Sequence, residues 1–187
     1  MPKRDPAATK ERLLKSGLTE FGNKGFSGAR TGKIAQRARC NARLLYYYFG
    51  DKEGLYLACL DRVYSEIRER EHELNFKKME PRVAILQLVN FTFDHMFNNP
   101  NFVKIVAVEN TEGGKYLKKL FKIHGAAISH INNVREVLVR GSGEKIFREN
   151  IDPFQLYFSI LALSYLHLSN RHTLSVTYSL DLTDDEW

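Results

Sequence analysis

Apolar positions recur every three or four residues along most of this chain, whereas the strict alternation of a half-buried strand is weak throughout. Leu14, Gly17, Leu18 and Phe21 fall at i, i+3, i+4 and i+7 and predict one face of a first helix. Thr9 is its expected cap, and Gly25 its expected end, with Phe26 plugging a small core behind it. A short second helix is expected over 31–38, capped by Thr31, with Ile34, Ala35 and Ala38 turned inward. Arg39, Cys40 and Asn41 then form a tight break, and Asn41 is a strong cap for a third helix over 42–49. Asp51 opens a fourth, reaching to about residue 76, on the stripe Tyr56, Cys59, Leu60, Val63, Tyr64 and Ile67.

The pattern stays helical beyond that point. Pro81 fits the first turn of a helix over 81–97, and Asn98-Asn99-Pro100 separates it from another over 100–110. Gly113-Gly114 precedes one long helix over 115–140, with Leu117, Leu120, His124, Ile128, Ile131 and Leu138 along one side. Gly141-Ser142-Gly143 reads as a flexible turn, and Asp152-Pro153 cap and open a last helix over 154–168. That helix is apolar on nearly every side, so something must cover it all round: a second subunit, or a central place in a monomer's own core. The predicted fold class is therefore all-α.

Charge divides the chain. Residues 1–52 carry 12 Lys/Arg against 4 Asp/Glu, net +8, while the remainder carries 16 against 18, net −2. One end suits a polyanion and the other does not. The segment 44–52, with three consecutive tyrosines beside Arg43 and Lys52, sharpens this. At about 100° per residue, three adjacent tyrosines cannot all face a core, so at least one hydroxyl is presented outward. Helix, short helix, three-residue turn, helix is the layout of a helix-turn-helix, whose second member enters the DNA major groove.

Other classes lack their signatures. There is no nucleophile elbow and no glycine-rich phosphate loop, so no enzyme is expected. Cys40 and Cys59 form no Cys-x-x-Cys motif and join no zinc-spaced cluster, so neither metal nor cofactor is expected. No apolar run is long enough to span a membrane and none follows the basic N-terminus as in a signal peptide, so a cytoplasmic protein is expected. A nonspecific architectural DNA binder would share the basic head, but it needs no apolar segment like 81–170.

Residues 9–55 resemble the DNA-binding domain of the TetR family of bacterial transcriptional regulators. The resemblance rests on TEFGNKGFSGARTGKIAQRA over 19–38 and LLYYYFGDKEGLYLACL over 44–60. It implies a helix-turn-helix domain over 1–52 and a helical effector-binding and dimerisation domain over 53–187, with a last family helix expected beyond Trp187. It implies a homodimer on double-stranded operator DNA, most simply a repressor released by a small-molecule effector. Carried over by position, Thr31 and Lys33 would meet the DNA backbone, and Asn41, Ala42, Arg43 and Leu44 would face base edges. Tyr46 and Tyr47 would touch phosphate or thymine methyl, Tyr48 stands where the family often has His, and Lys52 would complete the phosphate grip.

Two features depart from the family pattern. Arg39-Cys40-Asn41 replaces the usual Gly-Val-Ser, which places Arg39 where a left-handed backbone is favoured. Leu44 replaces a small polar residue, which weakens direct base readout there. The effector pocket implied between the second domain's helices has as candidates Phe93, Met96, Phe97, Val106, Glu109, Asn110, His124, Tyr157 and Tyr165, although aromatic and Met residues at helical spacing also serve as core. Ile131, Leu138, Phe154, Phe158, Leu161 and Tyr165 are the candidates for the dimer interface.

Overall fold

The computed structural model describes residues 5–74, 76–124 and 129–183, and the side chains of 122–124 and 129–130 lie outside that description. The described residues are helical, in the order α1 (Pro6–Gly28), α2 (Thr31–Arg37), α3 (Ala42–Phe49), α4 (Lys52–Glu73), a 3-10 turn (Phe76–Lys78), α5 (Pro81–Asn98), α6 (Pro100–Thr111), α7 (Lys115–His124), α8 (Ser129–Gly143) and α9 (Pro153–Tyr178). They pack as two compact units that do not follow chain order: residues 1–65 with 104–126, and residues 66–103 with 127–187.

In the first unit α1 packs on α2 and α3. The cap of α1 is Asp5, not Thr9: its carboxylate accepts Ala7 N at 2.9 Å and Ala8 N at 3.3 Å, and Pro6 fills the first helical position. Thr9 lies one turn inside and returns its hydroxyl to Asp5 O. The break at Gly25 is a kink (φ 66°, ψ 175°), a conformation glycine adopts without steric cost, and one more turn follows it. The buried stripe of α1 is Thr9, Leu13, Ser16, Gly17, Glu20 and Phe21, so it is Leu13, rather than Leu14 or Leu18, that is sealed in the core. Leu13, Phe21, Ile34, Leu45, Leu55 and Tyr56 are fully buried together with Cys59 and Leu60.

In the second unit α5, α8 and α9 pack on one another around Ala84, Leu88, Ile131, Val134, Val137, Leu138, Tyr157 and Ile160. Arg140 closes the 3-10 turn by donating to Phe76 O at 2.8 Å, Met79 O at 3.0 Å and Lys77 O at 3.2 Å. Two sequence expectations change here, and a third falls partly outside the described residues. The helix expected over 115–140 is described as α7 and α8, with residues 125–128 outside the described set. Gly141-Ser142-Gly143 is not a turn but the end of α8. A Cβ on Gly141 would stand 2.2 Å from the Phe147 ring, so the glycine makes room for a close approach. Finally, α9 runs on past Leu168 to Tyr178, where Ser179 (φ 55°) ends it. Residues 169–178 hold no Gly or Pro, and Ser169, Thr173 and Ser175 return their hydroxyls to carbonyls of their own helix.

Candidate nucleic-acid interface

The recognition helix candidate, α3, is set by one buried side chain and one cap. Leu45 is its only fully buried residue and anchors it to the first unit's core. Asn41 accepts Arg43 N at 2.8 Å and supplies the partner that the helix start lacks. Ahead of it, Arg39 takes a left-handed conformation (φ 52°), the strain expected from the missing glycine, at a cost of roughly 1–2 kcal/mol. Cys40 N donates to Ala35 O across that turn and holds it.

With Leu45 inward, the opposite face is dictated by helical geometry. Asn41, Arg43, Tyr46 and Tyr47 are exposed, and Tyr47 is 80% accessible, far beyond what a packed aromatic shows. Ala42, Leu44 and Tyr48 lie at the edges of that face, half-buried, with the Tyr48 ring set edge-on to Tyr47 at 5.1 Å. Tyr46 is not free to swing: its hydroxyl shares a hydrogen bond with Thr31 Oγ1 at 3.1 Å, which ties α3 to the first turn of α2. Thr31 is thus the first helical residue rather than the cap, and the cap position, Arg30, offers no side-chain bond.

A groove of about 560 Å³ opens beside this contact, lined by Arg30, Thr31, Gly32, Lys33, Gln36 and Lys52, with Ala29 at its base. Lys33 is exposed on its wall. Lys52 spans it from α4, donating to Ser27 O at 3.3 Å with its ammonium 4.9 Å above the Phe26 ring. Three cations around a concavity beside an exposed Asn/Arg/Tyr face provide phosphate contacts next to base-edge contacts. Every sequence-predicted DNA-binding residue therefore lies on, or at the edge of, α2, α3 or the start of α4 within one compact unit.

The effector candidates divide between the units. Phe93, Met96, Phe97, Tyr157 and Tyr165 lie in the second, where Phe93 stacks on Phe97 at 5.9 Å and on His167 at 5.6 Å. Met96 and Tyr157 are buried, and Tyr165 is half-buried, its hydroxyl 3.4 Å from Val103 O. Val106, Glu109 and Asn110 lie in the first unit. There Val106 is half-buried, while Asn110 is exposed and folds its amide onto Val106 O of its own helix. Glu109 is buried and already accepts two bonds, from the Tyr56 hydroxyl at 3.0 Å and from Leu117 N at 2.9 Å. Burial, then the carboxylate beside it, pushes the Tyr56 hydroxyl pKa up. The side chain of His124 lies outside the described residues.

Among the dimer candidates, Ile131 and Leu138 belong to the second unit's core, and Leu161 packs against it. Phe154 and Phe158 of α9 are exposed, joined by Leu163 and Leu166.

Sequence reasoning missed several buried polar groups. Glu20 and the Tyr56–Glu109 pair fasten helices together. In the second unit, His95 is buried, and its Nδ1 has no hydrogen-bond partner among the described residues; burial, and then Arg70, lower its pKa, while Glu66 works the other way. Glu71 is also buried there, and burial pushes its carboxyl up to about 7. A polar residue on an apolar stripe is the one signal that marks Glu20, Glu71 and His95 in advance. No helix among the described residues is long and apolar enough to cross a membrane.

Known proteins resemble this chain along most of its length. Residues 13–59 match the family model of bacterial regulatory proteins of the tetR family, and residues 81–187 match that of the tetracyclin repressor-like C-terminal domain. The HTH-type transcriptional repressor NicS of Pseudomonas putida is 33% identical over 178 residues, covering 95% of this chain and 84% of that protein. The HTH-type transcriptional regulator RutR of Escherichia coli is 26% identical over 156 residues, 83% of this chain and 72% of that one. Among solved structures, the hemolysin II transcriptional regulator HlyIIR superposes with a TM-score of 0.66 at 19% identity, over 96% of this chain and 97% of that one. PfmR from Thermus thermophilus superposes with a TM-score of 0.67 at 18% identity, over 84% of each chain. These two likenesses concern the fold.

Proposed function

Because this chain belongs to the TetR family of bacterial regulatory proteins, we propose that it is a repressor that grips operator DNA as a homodimer and leaves it when a small-molecule effector binds. The observation that carries the reading is the outward face of α3. Asn41, Arg43 and Tyr47 stand exposed there, and Tyr46 is oriented by Thr31, beside a groove walled by Lys33 and Lys52. Burying such a face against protein would strand its polar groups, whereas a major groove offers each of them a partner. Arg43 reads base edges, while Lys33, Lys52 and the Tyr46 and Tyr47 hydroxyls position the helix on phosphates.

Exposed apolar side chains on α9, Phe154, Phe158, Leu163 and Leu166, support the second copy, since so many large apolar groups on one helix are seldom left to water. Two copies would set their recognition helices about 34 Å apart, one DNA turn. The effector would occupy the second domain near Phe93, Met96, Tyr157 and Tyr165, favouring a state in which the two heads no longer match that spacing. Selection from a random duplex pool at about 0.15 M salt, with nonspecific competitor, tests the reading. Enrichment of an inverted repeat is the expected result. Retention of DNA with no enriched sequence would refute it.

A further inference from the structure

The short helix α2 is seven residues long, too short to be stable by itself, and has no side-chain cap of its own. Two side chains of α1 hold it. At its start, the buried carboxylate of Glu20 accepts the Arg30 backbone N–H at 3.4 Å, and the same carboxylate pairs at 3.5 Å with the guanidinium of Arg37, the last residue of α2. At its end, Arg12 donates Nε–H to Ala38 O at 3.1 Å, while its other arm bonds the Thr9 hydroxyl at 3.0 Å. An anion at the start and a cation at the end also match the partial charges of the helix. The direction of α2 is then passed on, because Thr31 in its first turn holds the hydroxyl of Tyr46 on α3.

We infer that Glu20 and Arg12 are positioning residues for operator reading: they touch no base, but together they set α2, and through Thr31 and Tyr46 the orientation of α3. The inference rests on α2 and α3 being the DNA reader. It makes a prediction whose sign separates geometry from charge. Removing a carboxylate from a unit that meets a polyanion should, by charge alone, tighten binding to every duplex. Loss of positioning should instead weaken the operator selectively, because only base contacts depend on the angle of α3.

The test measures Kd for the selected operator and for a scrambled duplex of equal length at one salt concentration. The proteins are the wild type, Glu20→Gln, Arg12→Gln and, as a control for stability, Leu13→Ala. Glu20→Gln keeps the size of the side chain and an oxygen for Arg30 N–H, and Arg12 is exposed, so both variants should fold. Glu20→Gln should raise the operator Kd about tenfold, the loss of roughly one charge-assisted bond, and leave the scrambled duplex unchanged or bound more tightly. Arg12→Gln weakens both duplexes through its lost cation but should also lower their ratio. Leu13→Ala should lower Tm and keep that ratio. If the Glu20 and Arg12 variants keep the wild-type ratio, or if Leu13→Ala loses it equally, the inference is wrong although the operator reading stands. A wild-type protein that binds both duplexes alike overturns the operator reading and this inference with it.

Discussion

Tyr56→Phe removes one oxygen atom from the interior of the first unit and nothing else. The ring keeps its edge contacts with Phe21 at 4.8 Å, Tyr116 at 5.0 Å and Phe26 at 5.3 Å. What is lost is the hydrogen bond from its hydroxyl to the buried Glu109 carboxylate at 3.0 Å. A bond to a charged acceptor contributes about 1.5–3 kcal/mol net, more than a neutral pair, because the acceptor cannot be rehydrated where it stands. Glu109 keeps its second donor, Leu117 N, so the loss should fall near the lower end, about 2 kcal/mol. For a chain of this size that is a fall of about 4–8 °C in Tm. Denaturant unfolding is the cleaner assay, since the midpoint should drop while the slope, which follows exposed surface, stays constant. The partner change supplies the control. Glu109→Ala strands both Tyr56 OH and Leu117 N and should cost about 3–5 kcal/mol, and in the double variant the two losses should not add. A loss below about 0.5 kcal/mol for Tyr56→Phe, or strict additivity, would refute the role given to this pair.

The other predictions concern DNA, pH and assembly. Arg43→Ala should relax base preference at one operator position, costing about 1–3 kcal/mol there, whereas Lys52→Ala should weaken all duplexes alike and lower the salt slope by about one unit. An equal loss on every duplex for Arg43→Ala would make Arg43 a phosphate contact. Burial pushes the Glu71 carboxyl up to about 7 from its ordinary value of about 4.5, so the folded state holds its proton more tightly than the unfolded one. Stability from this group is therefore present below about pH 4.5 and is lost as pH rises through about 7. Glu71→Gln should flatten that stretch of the denaturant-midpoint profile and stabilise the protein by on the order of a few kcal/mol at pH 8. Phe158→Glu, at an exposed apolar position of α9, should shift sedimentation toward the monomer and weaken operator binding in step.

By itself the sequence determined most of the elements and the outward side of α3. Helical periodicity marked the helices, Asn41 the start of α3, Pro81 and Pro153 the openings of α5 and α9, and three adjacent tyrosines the exposure of at least one. These features are local: a cap bonds two residues away, a turn repeats every 3.6 residues, and both are written in neighbouring letters. Even the left-handed Arg39 was legible from a missing glycine. Tertiary structure decided what depends on residues far apart in the chain. Gly141-Ser142-Gly143 looks like a flexible turn until Phe147 folds back against Gly141 and leaves no room for a Cβ there. Ile131 and Leu138 suit a subunit interface equally well until α5 and α9 enclose them, and Glu109 suits a ligand until Tyr56, 53 positions away, claims it. Glu20 interrupts the apolar stripe of α1, but its partners Arg30 and Arg37 are set only when α2 packs against it. Burial and pairing arise only when separate helices meet, and no single stretch of sequence carries that information.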